Sequence, residues 1–155
     1  MGIEIERKFL VNRERWNNVD KPQGNHYRQG YLVAEADKTI RVRVTDSCGY
    51  ITIKGASAGA SRSEFEYEIP KEEAQELLDR FAFSELSKIR YKIEFAGKLW
   101  EVDEFLGENS GLLMAEIELE TEAESFQFPC WIDKEVTGDR RYYNSYLSKN
   151  PFSKW

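Results

Sequence analysis

The chain has almost none of the residues on which nucleophilic, zinc or disulfide chemistry is usually built: one histidine and two cysteines in 155 residues. Cys48 and Cys130 are too few for a disulfide framework and too far apart for a metal knuckle, so reduced thiols are expected. His26 falls in a run that reads as a strand, and its isolation makes it a strand residue rather than a catalyst. There is no P-loop, dinucleotide fingerprint or zinc-ligand spacing. No apolar run approaches the ~18 residues that would span a bilayer, and Glu4 and Glu6 stand where a signal peptide would need apolar side chains. A cytoplasmic protein with no membrane partner is expected. Positive charge is also in deficit, with 22 Lys and Arg against 28 Asp and Glu and a net charge of -6. That balance argues against a general nucleic-acid binder, whose affinity comes from surplus cations facing phosphates.

What the chain does have is apolar area and strand periodicity. Hydrophobic residues make up 41% and aromatics 14%, enough to offset chain entropy despite the many charges. A single domain over residues 1–155 is expected, because a chain of this size buries roughly two thirds of its unfolded surface. Residues 3–11 alternate, with Glu4, Glu6 and Lys8 on one face and Ile3, Ile5 and Phe9 on the other. The same period of two returns at Ile40–Val44 with Arg41 and Arg43, and at Ile51–Lys54 with Thr52 and Lys54. Asp46–Gly49 is the turn between them. Arg62, Glu64, Glu66 and Glu68 then oppose Phe65, Tyr67 and Ile69.

Pro70 suits a first helical position, Glu72 and Glu73 favour the positive end of the dipole, and Ala74, Leu77, Leu78 and Phe81 form an apolar stripe. A helix is predicted there. Alternation resumes with Lys88, Arg90, Lys92 and Glu94, followed by a hairpin turn at 96–98, a strand bearing Glu101 and Asp103, and a strand bearing Glu116 and Glu118. Residues 122–134 read as irregular, and Asp139 is placed to cap a final helix carrying Tyr142, Tyr143, Tyr146 and Leu147. With His26–Val33 the count is about seven or eight antiparallel strands and few helices. The fold class is mainly β (α+β).

Each charged face could simply meet water, as in any half-exposed antiparallel sheet. The charges are, however, sorted by sign, with carboxylates at Glu4/Glu6, Glu64/Glu66, Glu101/Asp103 and Glu116/Glu118 and cations at Arg41/Arg43 and Lys88/Arg90. Like charges on one strand face lie only ~7 Å apart and repel unless a counterion separates them. A sheet closed into an eight-stranded barrel is just wide enough for side chains or one small ligand. Ionised groups turned inward would then demand counterions. Carboxylates without His or Cys suit hard cations such as Mg²⁺ or Mn²⁺, and Arg forks with Lys point charges suit phosphate oxygens.

Glu4-Ile5-Glu6-Arg7-Lys8 matches the ExExK signature of the CYTH family, the triphosphate tunnel metalloenzymes. The likeness continues through His26–Leu32, Arg41–Arg43, Thr52–Lys54, Arg62–Pro70, Lys88–Tyr91, Trp100–Phe105, Ala115–Leu119 and Glu135–Asn144. The chain most resembles the small bacterial single-domain members. The resemblance implies a closed eight-stranded antiparallel β-barrel, a tunnel that binds triphosphate and metal. By position, Lys8, Arg41, Arg43, Lys54, Lys88 and Arg90 would bind phosphate, and Glu4, Glu6, Glu64, Glu66, Asp103, Glu116 and Glu118 would serve the metal. Lys8, Glu4 and Glu6 would be catalytic. Tyr31, Arg62, Glu101, Lys134 and Arg141 are supporting candidates. The implied activity is metal-dependent hydrolysis of inorganic triphosphate. The competing readings are a class IV adenylate cyclase, a thiamine or nucleoside triphosphatase, a non-catalytic polyphosphate-binding module and a plain β-domain with solvated charges. The apolar outer faces require cover from the helix after Pro70, from the carboxyl-terminal segment or from a second subunit, so a homodimer is among the expected assemblies.

Overall fold

The computed structural model describes residues 2–155. Its strands are β1 (Gly2–Val11), β2 (Asn25–Ala34), β3 (Lys38–Val44), β4 (Gly49–Gly55), β5 (Ser61–Ile69), β6 (Ser84–Phe95), β7 (Lys98–Phe105), β8 (Leu113–Glu118) and β9 (Ile132–Glu135). Helices α1 (Arg13–Asn17), α2 (Lys71–Phe81) and α3 (Asn144–Leu147) are joined by short 3₁₀ turns. The sheet order β5-β4-β3-β2-β6-β7-β8-β1 closes on itself because β1 also pairs with β5. The result is the expected closed eight-stranded antiparallel barrel. β1 is the keystone: Gly2–Ile5 pair with β5, Glu6–Leu10 pair with β8, and Phe9 and Val11 pair with β9.

β9 lies within the stretch expected to be irregular. It is short and its exposed residues are Asp133, Lys134 and Glu135, so no alternation of apolar and polar residues marks it. The predicted helix from Asp139 is also corrected: Asp139 caps a 3₁₀ turn over Arg140–Tyr142 by accepting from Arg141 N, and α3 begins afterwards at Asn144. Pro70 stands one residue before α2, whose first residue is Lys71. Ala96 and Gly97, with φ of 50° and 78°, form the tight β6–β7 turn.

Three apolar clusters hold the barrel. On the outer wall Phe9, Trp100, Val102, Ala115 and Ile117 pack beneath Trp16 of α1 and Trp131. α2 lays Ala74 and Leu78 on Val42 and Val44 of β3. There the helix comes so close to the sheet that a Cβ at Gly49 would stand 2.5 Å from that of Ala74. The third cluster is inside. Leu10, Leu86, Phe105 and Met114 share strand faces with Lys8, Lys88, Asp103 and Glu116, and Leu147 of α3 packs among them. The carboxyl-terminal segment, one of three candidates for outer cover, instead fills one end of the barrel with Leu147, because a lumen lined by apolar residues at that level needs an apolar plug. Outer residues Ile3, Ile53, Phe65 and Tyr67 remain exposed, at 62%, 41%, 49% and 59%. No helix among the described residues is long and apolar enough to cross a membrane.

Candidate functional site

Above the apolar plug the barrel encloses a polar cavity of about 460 Å³. Strand alternation delivers its lining, since every second residue of an antiparallel strand faces inward. All the predicted site residues except Asp103 border it: Glu4, Glu6, Lys8, Arg41, Arg43, Lys54, Glu64, Glu66, Lys88, Arg90, Glu116 and Glu118. Tyr31, Arg62 and Glu101 border it as well. Lys134 and Arg141 do not; Lys134 is exposed on β9, and Arg141 pairs with Asp139 at 2.8 Å.

Register divides the lumen into two walls. The acidic wall runs across β5, β1, β8 and β7, and it sets Glu6 directly opposite Glu118 and Glu101 directly opposite Glu116. Directly opposed carboxylates destabilise a sheet unless a cation joins them. Burial, together with the like charges of Glu116 and Glu4, holds the Glu6 carboxyl well above the usual carboxylate range. Glu64 is raised by burial and by Glu4, and Glu118 by burial and by Glu4 and Glu101. Glu116 moves the other way: burial opposes ionisation, yet Lys8, Arg90 and Lys88 hold its carboxyl well below the usual range. For Glu4, burial is likewise outweighed by the Lys54 ammonium 3.0 Å away, and its pKa is lowered.

The basic wall runs across β4, β3, β2 and β6. Arg90 grips Asp103 through two bonds of 2.7 and 2.8 Å, and Lys88 Nζ reaches the same carboxylate at 2.8 Å. Asp103 is therefore spent on holding two cations beneath the cavity. Arg41 donates to Thr52 at 3.0 Å, while its buried Nε has no partner. Arg43 donates Nε to Gln29 at 3.1 Å and stacks over Tyr27, whereas its two terminal nitrogens make no bond among the described residues. Burial and the neighbouring Arg41 and Arg90 push Arg43 down to about 10. Lys8 Nζ stands at the junction of the walls, 3.9 Å from both Glu6 and Glu116. Burial opposes its charge, but Glu116 and Glu6 prevail and raise its pKa.

These donors fit a hard divalent cation, because the lining offers several carboxylates in mutual repulsion and no imidazole or thiolate on the acidic wall. No three acids among the described residues converge into a cage by themselves. Hard divalent cations can be bound through one or two carboxylates, with the remaining positions left to water and other oxygen ligands. The two terminal nitrogens of Arg43, which make no bond among the described residues, suit the oxygens of an anion.

Sequence reasoning missed Asn25, Tyr27, Thr39, Lys92, Tyr143 and Asn144, which also line the cavity, and Gln29, which is wholly buried beside it. For Tyr27 and Gln29 the parity of β2 with Tyr31 was an available signal. Asn144 closes the Glu135–Asn144 segment of the family likeness, but no strand alternation assigns it a face, since it arrives on a short helix far along the chain.

The described geometry has relatives. The chain is 53% identical over 98% of its length to an inorganic triphosphatase of Acetivibrio thermocellus, of which 97% is covered. It is 35% identical over 94% of its length to an inorganic triphosphatase of Nitrosomonas europaea, of which 96% is covered. A crystal structure of an inorganic triphosphatase superposes with a TM-score of 0.64 at 31% identity, covering 94% of this chain and 93% of that one. The model of the CYTH domain matches residues 2–149, and the chain belongs to the CYTH domain family.

Proposed function

We propose that the protein is a divalent-metal-dependent inorganic triphosphatase. The observation that carries the proposal is the sign-sorted lumen, whose acidic and basic walls face each other across a cavity sized for a small polyanion. The 53% identical relative is an inorganic triphosphatase over nearly the same length, which supports the same chemistry here. Residues 1–155 act as one domain in this reading.

Triphosphate would lie along the basic wall, with Arg41, Arg43, Lys54, Lys88 and Arg90 contacting its oxygens and Lys8 reaching the scissile group from the junction. Glu4, Glu6, Glu64, Glu66, Glu116 and Glu118 would hold Mg²⁺ or Mn²⁺, with Asp103 acting through its grip on Arg90 and Lys88. When bound, the cation neutralises phosphate charge and activates the attacking water. The new bond joins the water oxygen to phosphorus, the bridging P–O bond breaks with its electron pair going to the diphosphate oxygen, and of the two water protons one stays on the phosphate and the other passes through solvent to the diphosphate. The fixed guanidinium and ammonium groups stabilise the charge that spreads over the phosphate oxygens during this displacement. Lys8 stays charged throughout because two carboxylates flank it. Neither serine nor histidine takes part.

The unpaired Cys48 and Cys130 fit a reducing, cytoplasmic setting. A second copy of the chain would find its apolar surface at Ile3, Ile53, Phe65 and Tyr67. Phosphate release from tripolyphosphate, ATP and thiamine triphosphate, measured in parallel with Mg²⁺, Mn²⁺ or EDTA, tests the proposal. Metal-dependent release from tripolyphosphate that EDTA abolishes is expected. Release confined to a nucleotide or thiamine substrate, cyclic AMP formation, or no turnover would each reject it.

A further inference from the structure

Between the basic wall and the carboxyl-terminal plug lies a run of uncharged amides that the proposed reaction does not use. Gln29 of β2 is fully buried at 0% exposure, although it is polar. Its Nε2 donates to Tyr31 Oη at 3.1 Å and to Asn144 Oδ1 at 3.2 Å, and its Oε1 accepts from Arg43 Nε at 3.1 Å. Asn144 Oδ1 accepts a second bond, from Lys88 Nζ at 2.8 Å. Partner chemistry fixes both amide orientations: guanidinium and ammonium can only donate, so each must meet an amide oxygen. The amide nitrogen of Gln29 is then the only group left to close the gap to Asn144.

The bond at Arg43 falls on Nε. It occupies the inner nitrogen and leaves the two terminal nitrogens, which make no bond among the described residues, for an oxyanion. Tyr27 supports the same guanidinium at 4.9 Å from its ring centroid. Asn144 does the equivalent for Lys88, which also meets Asp103 at 2.8 Å and lies over the Phe105 ring. It does so from α3, which is anchored by Leu147 among Leu86, Phe105 and Met114.

We propose that Gln29 and Asn144 are positioning residues that aim Arg43 and Lys88 at the substrate phosphates and tie their aim to the seating of the carboxyl-terminal plug. The inference rests on the triphosphatase reading for its ligand. It extends the working site beyond the charged strand positions to two neutral amides, one of them outside the barrel strands.

A double-mutant cycle tests it, because a residue that acts only through another loses its effect once that other is gone. Gln29→Met preserves length and removes both polar atoms. Tripolyphosphate affinity is measured by titration calorimetry in EDTA for the wild type, Gln29→Met, Arg43→Met and the double variant, with thermal melts to verify folding. Gln29→Met should weaken binding about tenfold, the effect of misaligning one charge-assisted contact, and should have little further effect in the Arg43→Met background. Asn144→Leu against Lys88→Met is the parallel cycle, and it serves alone if Gln29→Met does not fold. Additive losses in the cycle, or unchanged affinity in folded single variants, overturn the inference. Tripolyphosphate binding in EDTA with no turnover once Mg²⁺ or Mn²⁺ is supplied would reject the triphosphatase reading while leaving the cycle fully readable. Failure of the wild type to bind tripolyphosphate would overturn both.

Discussion

Asp103 and Lys88 are in contact, yet burial leaves them with different balances. Asp103 meets two cations and is pulled down to about 2 although burial opposes this. Lys88 is pushed down to about 7, mainly by burial; it shares its carboxylate with Arg90 and is repelled by Arg90 and Arg43. For Asp103 the depressed acid contributes stability that is complete above its unfolded value near 3.8 and is lost as pH falls toward about 2. For Lys88 the unfolded chain binds the proton more tightly between about 7 and 10.5, so stability rises with pH across that window. Lys88→Met should therefore raise the Tm of the ligand-free protein at pH 7 while lowering tripolyphosphate affinity, with the Tm gap narrowing toward pH 10. A gap indifferent to pH would show that packing, not charge burial, sets it. Glu6→Gln is expected to behave similarly on the acidic wall, gaining a few degrees of Tm by removing a repelled, buried carboxylate and losing metal-dependent turnover. A folded variant with normal activity would remove Glu6 from the catalytic set. At this scale the charged residues were legible because alternation assigns each a face. For Gln29 parity gave the face but not the role, since a neutral amide among aromatics carries no sign to sort it and the bond to Arg43 depends on a register the sequence does not print.

Among the elements, α2 was readable from its stripe and acidic first turn, and its contribution can be weighed through Leu78, which is 1% exposed between helix and sheet. Leu78→Ala should cost about 2–4 kcal/mol, measured by urea unfolding, with tripolyphosphate KM unchanged because α2 lies on the outer wall. A change in KM at full occupancy of the folded state would imply that α2 sets the barrel's shape. The β6–β7 turn offers the reverse case. Ala96 holds φ 50°, a left-handed conformation that strains a side chain by roughly 1 kcal/mol, so Ala96→Gly should stabilise the protein, and a fall in unfolding midpoint would contradict this. The elements that escaped prediction are those with few residues. α1 and β9 are too short to show a period, and the helix expected from Asp139 shrinks to the single turn of α3; Trp16 and Trp131 close over Trp100, and Leu147 closes the lumen.

For the whole molecule, closure was the least legible property, because alternation shows which face is charged and not whether that face turns inward. It is settled by four residue pairs, Gly2–Ile5 with Ser61–Glu64. The closed barrel predicts that ligand and fold are linked: tripolyphosphate at ~100 times its Kd should add about 2.7 kcal/mol. The matching rise in Tm, followed by scanning fluorimetry, should be absent for a protein whose charges merely face solvent. The same closure has a consequence during synthesis. Glu6 and Lys8 leave the ribosome before the rest of the barrel, but their partners in β8, Glu118 and Glu116, are about the last barrel residues to be made. The Gly2–Ile5 half of β1 finds β5 midway through the chain, but the Glu6–Leu10 half must wait for β8, and loop closure of that length is slow. Its row of charges keeps the waiting strand soluble and discourages pairing with another chain. The acidic wall is complete only once β8 docks against β1 and β7, so the return of activity on refolding is a clock for that late step of folding.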